Sequence, residues 1–286
     1  SDWSSDVCSS DLGFFSMIKK GEKLVFDKHY KHNPADTNSL SNDFVKNIFV
    51  DSKGKIWLST WGNGFDIFDE KQQTFRHYQF DEENKKSMNQ NYVYEIIEDN
   101  QGIIWIASLG GLIRFNPDNE KIKVYKNEPD NPESLSYNAT WSVYQGRGGN
   151  LWIGTNGGGF NRFNPETGKF TRFVHHHENP KSLSNNNVIC FHQSENGDMW
   201  IGTYGGGLNK INAGQLNKSP CDIEFEHFME SQGLPSNVVY SILDDNNDFF
   251  WMSTNKGISK FDPQTGTFKN YNVDDVLQSN EFNKGA

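Results

Sequence analysis

Residues Leu151–Pro165 read LWIGTNGGGFNRFNP, and residues Met199–Asn212 read MWIGTYGGGLNKIN. A Trp inside an apolar phrase, a Thr, a run of glycines and a second apolar phrase recur almost letter for letter. Variants of the phrase read KIWLST, IIWIAS and FWMST, so the tryptophans fall at Trp57, Trp105, Trp152, Trp200 and Trp251, separated by 48, 47, 48 and 51 residues. Each lies 17 residues after an apolar residue that opens a Ser/Asn-rich phrase: Leu40, Met88, Leu135, Leu183 and Leu234. Five repeats of one offset define a tandem array.

Within a unit the order of phrases is constant. An apolar stretch such as VKNIFV or VYEIIE leads into a turn holding Gly54, Gly102, Gly149 or Gly197, with Asp248 in the last unit. The Trp stretch follows, then a Gly-rich turn, a third stretch (FDIFD, LIRFN, FNRFN), a turn such as NPETG, and a fourth stretch (TFRHYQF, FTRFV). Four short strands in about 48 residues suit antiparallel hairpins. Helical periodicity is absent, which removes tetratricopeptide, ankyrin and armadillo arrays. Tandem four-stranded units are the blades of a β-propeller, and middle strands covered on both faces explain runs such as IIWIA. The expected fold class is all-β, a propeller of four-stranded antiparallel blades.

Composition agrees. The 286 residues include 22 Phe, 8 Trp, 10 Tyr and 26 Gly, with 37 acidic against 27 basic side chains and a net charge of −10. No apolar run approaches the ~18 residues of a membrane span, and without a basic stripe nucleic acid is not an expected partner. The opening SDWSSDVCSSDL (1–12) has no signal-peptide pattern and resembles a translated sequencing adapter. Without its three Asp residues the charge is −7 over 274 residues. The expected organisation is a partial blade at 13–39, blades at 40–87, 88–134, 135–182, 183–233 and 234–276, and the start of another at 277–286. On that expectation the chain is a piece of a seven-bladed propeller, open at both ends.

The combination LSNNNV (183–188), MWIGT (199–203) and YGGGLNKIN (204–212) resembles the two-component regulator propeller repeat, and the resemblance covers the chain from Gly13 onward. It implies the periplasmic sensor region of a bacterial hybrid two-component protein, with a β-sandwich, a membrane helix and a histidine kinase lying outside this sequence. It also implies oligosaccharides released from polysaccharides as the ligand, and a homodimer in the full protein. Any membrane attachment would run through that missing helix.

Strand parity locates the expected ligand face. With strands a to d numbered outward from the centre, the b–c turns and the d–a connections share one end, here the top. They gather Trp61, Asn63, Asn156, Tyr204 and Lys256 from the turns, and Tyr92, Tyr137, Asn186 and Asn237 from the connections. Aromatic faces beside amides and hydroxyls suit a neutral polyhydroxylated ligand. Against this stands the ordinary role of Asn near Gly, which is turn geometry. The five recurring tryptophans read as core, and Trp141 as either core or channel-facing.

Other constellations are weaker. Asp244, Asn246 and Asp248 have calcium-loop spacing, but Phe249 replaces the required Gly and Asn255 stands at the twelfth place. DSKGKIW and DNQGIIW resemble the Asp-box hairpin, a structural motif. His175, His176 and His177 read as solvated, and Cys190 and Cys221 as too far apart for a disulfide. No metal, cofactor or catalytic residue is expected. The competing functions are a propeller lyase, disfavoured because the top rim lacks a His-centred acid–base cluster, and a protein-interaction or dimerisation platform.

Overall fold

The structure is a computed structural model describing residues 13–20, 23–80, 88–245, 249–275, 277, 279 and 282. Segment 1–12, most of 277–286, and Asn246 and Asp248 lie outside the described residues. The chain divides into two compact units, one ending at Tyr125 and the other beginning at Lys126.

The first unit opens with a two-stranded antiparallel sheet, β1 (Phe14–Lys20) with β2 (Lys23–Tyr30). Two four-stranded sheets follow. They are β3 (Val45–Val50), β4 (Ile56–Thr60), β5 (Phe65–Asp69) and β6 (Thr74–Tyr78), then β7 (Val93–Glu98), β8 (Ile104–Ser108), β9 (Gly111–Asn116) and β10 (Lys121–Tyr125). The second unit has three such sheets. They are β11 (Thr140–Gln145) to β14 (Lys169–Phe173) through β12 (Leu151–Thr155) and β13 (Phe160–Asn164); β15 (Val188–Gln193) to β18 (Glu226–Phe228) through β16 (Met199–Thr203) and β17 (Leu208–Ile211); and β19 (Val239–Asp244) to β22 (Thr267–Tyr271) through β20 (Phe250–Thr254) and β21 (Gly257–Asp262). Strands pair in chain order and antiparallel throughout, and the helical turns among the described residues are short 3-10 segments. Among the described residues no helix is long and apolar enough to cross a membrane.

Within each unit the first strands of successive sheets adjoin. β7 lies against β3 and β4, β15 against β11 and β12, and β19 against β15 and β16. Sheets stacked this way bury their second strands on both faces, so β4, β8, β12 and β16 are buried at every residue. The repeating tryptophans cement these joints. Trp57 meets Phe115 of the next sheet edge-on at 5.6 Å, and Trp200 meets Phe250 and Phe261 at 5.2 and 5.4 Å. Removing one such ring costs about 3–5 kcal/mol. Trp251 departs from the core expectation. It is only half-buried, stacked on Tyr271 at 5.5 Å with the Lys260 ammonium 5.3 Å above it, because β20 alternates buried and half-buried residues instead of being covered on both faces.

In the first unit the a–b hairpins are held by carboxylates. Asp51 accepts the backbone N–H groups of Lys53 and Lys55 on one oxygen and the Trp57 indole N–H on the other, at 3.0, 2.8 and 2.9 Å. Asp99 does the same for Gln101, Ile103 and Trp105. One buried carboxylate thus closes the hairpin and satisfies the only polar atom of the core tryptophan, the structural role expected from the Asp-box resemblance.

At the opposite end, a glycine precedes or opens the third strand in a backbone region that other residues rarely adopt. Gly64, Gly159, Gly207 and Gly257 have φ of +76°, +69°, +70° and +98°, and a Cβ on any of them would lie 2.0–2.3 Å from a carbonyl oxygen ending the fourth strand. A Cβ on Gly13, at φ +80°, would likewise lie 2.3 Å from the Tyr30 carbonyl oxygen that ends β2. Gly168 shares the positive φ (+72°) but faces open space. In urea titrations, Gly159→Ala is therefore expected to lose about 3 kcal/mol or more, combining strain and collision, and Gly168→Ala about 1 kcal/mol from strain alone; equal losses would contradict this account of the turn.

Candidate functional site

The b–c turns and the d–a connections meet at one end of the sheets. Isolated bridges join Trp61 to Tyr92, Asn156 to Asn187 and Tyr204 to Val238. A single carbonyl makes each joint firm. The Asn91 oxygen accepts the N–H groups of Gly62 (3.0 Å) and Gly64 (2.9 Å), Asn186 those of Gly157 (3.2 Å) and Gly159 (2.8 Å), and Asn237 those of Gly205 (2.9 Å) and Gly207 (2.8 Å). The turn of one sheet is thereby bonded to the loop that leads into the next.

This explains part of the expected rim. Asn186 accepts the His175 N–H on Oδ1 (2.7 Å), and Asn237 accepts the Glu230 N–H (2.9 Å), so both carboxamides close their own connections. Asn63 accepts from Asn42 Nδ2 at 2.9 Å. Lys256 reaches the Glu230 carboxylate at 3.4 Å, beside Asn237. His175 is tied by Nδ1 to the Leu183 carbonyl (2.7 Å), as His32 is to Leu40 (2.8 Å). Asn156 is exposed, and Tyr137, 49% exposed, stands over the Gly158 turn.

The aromatic side chains do gather. In the first unit the Trp61 ring meets Tyr92 at 5.1 Å and Tyr94 at 5.2 Å, both edge-on, with Phe44 at 6.0 Å. The Lys46 ammonium lies 4.6 Å from the Phe44 centroid and 5.6 Å from that of Trp61. All five residues are half-buried, and burial pulls the Lys46 ammonium below the usual lysine range. In the second unit Tyr204, 50% exposed, lies 6.3 Å from Trp141 and 6.5 Å from Tyr240.

Phe44, Lys46, Tyr94 and Tyr240 were not anticipated, and for the last three the reason is geometric. Every first strand carries a β-bulge after its first residue, between Val45 and Asn47, Val93 and Glu95, Thr140 and Ser142, Val188 and Cys190, and Val239 and Ser241. The bulged residues are Lys46, Tyr94, Trp141, Ile189 and Tyr240. A bulge leaves one residue out of the ladder and re-aims its side chain, which brings Tyr94 to Trp61, and Trp141 and Tyr240 to Tyr204.

Beneath the rim, Asp66 is wholly buried at the second place of β5, where β13 and β17 carry Asn161 and Asn209. Those amides accept a Ser N–H and donate to the same Ser hydroxyl, Ser136 and Ser184 respectively. Asp66 accepts the Ser41 N–H at 2.8 Å, but its other oxygen finds no partner among the described residues. Burial pushes this carboxyl up to about 6, with the Ser41 N–H, His77 and His32 pulling the other way.

Two clefts open at the other end, between neighbouring sheets. One of about 660 Å³ in the first unit is lined by Lys55, Phe68, Arg76 and Phe115, and one of about 530 Å³ in the second by Asp198, Trp200, Lys210 and Phe250. Charged groups in them pair with one another, Arg76 with Glu120 at 2.8 Å and Lys210 with Asp198 at 3.2 Å, whereas the rim presents partly open ring faces. The rim is the better candidate on that ground despite the larger clefts. Among the described residues no group of His, Cys, Asp or Glu could hold a metal ion. Among the described residues Cys190 and Cys221 are not disulfide-bonded.

Sheets of this order, stacked through their second strands and bonded at the b–c turns, are the blades of a β-propeller. The two component regulator propeller family matches five segments, residues 39–62, 87–110, 134–157, 182–205 and 233–256, each ending in a b–c turn. The chain carries five of these repeats. No curated protein matches it.

Among solved structures, the chain is similar to the extracellular domain of a B. thetaiotaomicron protein described as a hybrid two component system. That match has 30% identity and a TM-score of 0.67, covering 80% of this chain and 30% of that one. A second extracellular domain from the same organism, described as a one component system, matches at 24% identity and a TM-score of 0.57, covering 93% of this chain and 36% of that one. Virginiamycin B lyase from Staphylococcus aureus, in an inactive variant with quinupristin, shares the fold alone at 17% identity and a TM-score of 0.64, covering 93% and 79%. This chain spans about a third of the two extracellular domains.

Asp66 yields a pH signature. Its folded-state value exceeds the ordinary 3.8, so the folded chain holds the proton more tightly and stability falls as pH rises from about 4 to about 6. At neutral pH the buried carboxylate lowers stability by roughly 3 kcal/mol. Asp66→Asn is expected to raise the melting temperature at pH 7 and to converge with the parent near pH 4; a difference independent of pH would contradict the buried-carboxylate account.

Proposed function

We propose that this propeller is a ligand-sensing module of a bacterial two-component signalling protein, exposed on the outer side of the membrane that anchors the full protein. It binds oligosaccharides released from polysaccharides at its top end. Binding shifts the population of a signalling state towards a kinase that lies outside this sequence, within a full protein that acts as a homodimer. The observation that carries the reading is the gathering of rings there, Trp61 with Tyr92 and Tyr94, and Tyr204 with Trp141 and Tyr240. Aromatic faces accept the apolar face of a sugar ring while neighbouring hydroxyls and amides meet its edges. The family match and the likeness to extracellular domains support the location and the signalling role.

The geometry favours sensing over lyase chemistry. Eliminating or hydrolysing a bond needs convergent acid and base groups. The imidazoles His32 and His175 at this end are instead engaged with carbonyls of their own connections.

On an array of polysaccharide-derived oligosaccharides, the chain is expected to bind at least one glycan class, and Trp61→Ala with Tyr204→Ala to weaken that binding at least about tenfold, the size of two lost stacking contacts, with the melting temperature little changed. No binding to any glycan, or unchanged affinity in the double variant, would overturn the proposal.

A further inference from the structure

Lys46 is the charged member of the bulge positions, the others being Tyr94, Trp141, Ile189 and Tyr240. Lys123 and Lys269 also lie over an aromatic ring but are exposed, whereas Lys46 is half-buried. Lys53, Lys169, Lys181, Lys210, Lys256 and Lys260 each have a carboxylate within 3.4 Å. Lys46 has none among the described residues, in a chain where acidic side chains outnumber basic ones 37 to 27. The nearest acidic side chain in sequence, Asp43, accepts the His32 N–H on Oδ1 at 2.6 Å. The ammonium lies instead against the Phe44 and Trp61 rings and is half-buried. A lysine stem laid along apolar surface normally delivers its ammonium to water. Here the delivery point is the edge of the aromatic cluster, and burial already weakens the hold on the proton.

We infer that Lys46 receives an anionic substituent of the ligand, so that the saccharide bound at the first unit carries a carboxylate or sulfate beside the ring face that Trp61 receives. The inference rests on the oligosaccharide reading above and narrows it from neutral sugars to acidic ones. Trp61 and the tyrosines take the apolar ring face, and the ammonium, already partly stripped of water, forms a charge-assisted hydrogen bond to the anion. A bond of that kind is worth about tenfold or more in affinity.

The test is an array carrying matched neutral, uronate-containing and sulfated oligosaccharides, read with the parent chain, Lys46→Met, Lys46→Arg and Trp61→Ala. Lys46→Met keeps the apolar stem, and circular dichroism confirms that each variant is folded. The expected result is parent binding to uronate or sulfated members, with the two sets distinguishing carboxylate from sulfate. Lys46→Met should lose at least about tenfold on those members, Lys46→Arg should retain them, and Trp61→Ala should weaken all binding. Parent binding confined to neutral members, or acidic binding untouched by Lys46→Met, would overturn the inference and leave the oligosaccharide reading standing. Absence of binding to every glycan would overturn both.

Discussion

One backbone carbonyl at each joint governs the geometry of the top end. The Asn91, Asn186 and Asn237 oxygens each accept two glycine N–H groups from the preceding sheet's turn. A carbonyl has two lone pairs and buried N–H groups must be satisfied, so the arrangement fixes the turn and the incoming loop together. It also requires the last glycine of each of these turns, because a Cβ there would stand 2.0–2.3 Å from a carbonyl oxygen that ends the fourth strand. A residue with a side chain would push the turn outward and break the bond to the next sheet.

The functional consequence follows from what those turns carry. Trp61 and Tyr204 lie immediately before glycines whose N–H groups are clamped, so their rings are delivered to the next sheet's first strand. The bulge in that strand swings Tyr94 or Tyr240 to meet them. Clamp and bulge together build an aromatic surface from residues more than 30 positions apart in sequence. The hairpins at the other end, closed by Asp51 and Asp99, hold the tryptophans that keep the sheets stacked. The stacking tryptophans and the proposed recognition surface therefore lie at opposite ends of the same blades.

The repeat made the fold legible. A Trp recurs 17 residues after an apolar opener in all five units, and Trp57 and Trp200 show its use in cementing the joint to the next sheet. The Gly-rich turns were equally readable, since positive φ and close approach leave no substitute for glycine at Gly64 or Gly159. The site was half legible. Trp61, Tyr92 and Tyr204 stood out as large rings at turn and connection positions, and they do contact other rings. Asn186 and Asn237 were drawn into the ligand rim although their Oδ1 atoms close loops, because a sequence does not distinguish an amide used for a ligand from one used for a backbone N–H. Lys46, Tyr94 and Tyr240 escaped because a bulge changes where one side chain points without disturbing the apolar pattern around it. Trp251 looked identical to its four counterparts, yet its burial depends on what covers β20 and not on its own phrase.

The claim that recognition belongs to the clamped end can be read directly by amide hydrogen exchange, with and without the tightest-binding glycan. The account expects added protection at residues 61–64 and 91–94, at 204–207 and 237–240, and unchanged exchange in the hairpins 51–55 and 194–198. Protection concentrated in those hairpins, or along the clefts beside Arg76 and Lys210, would place the ligand at the other end and contradict the account.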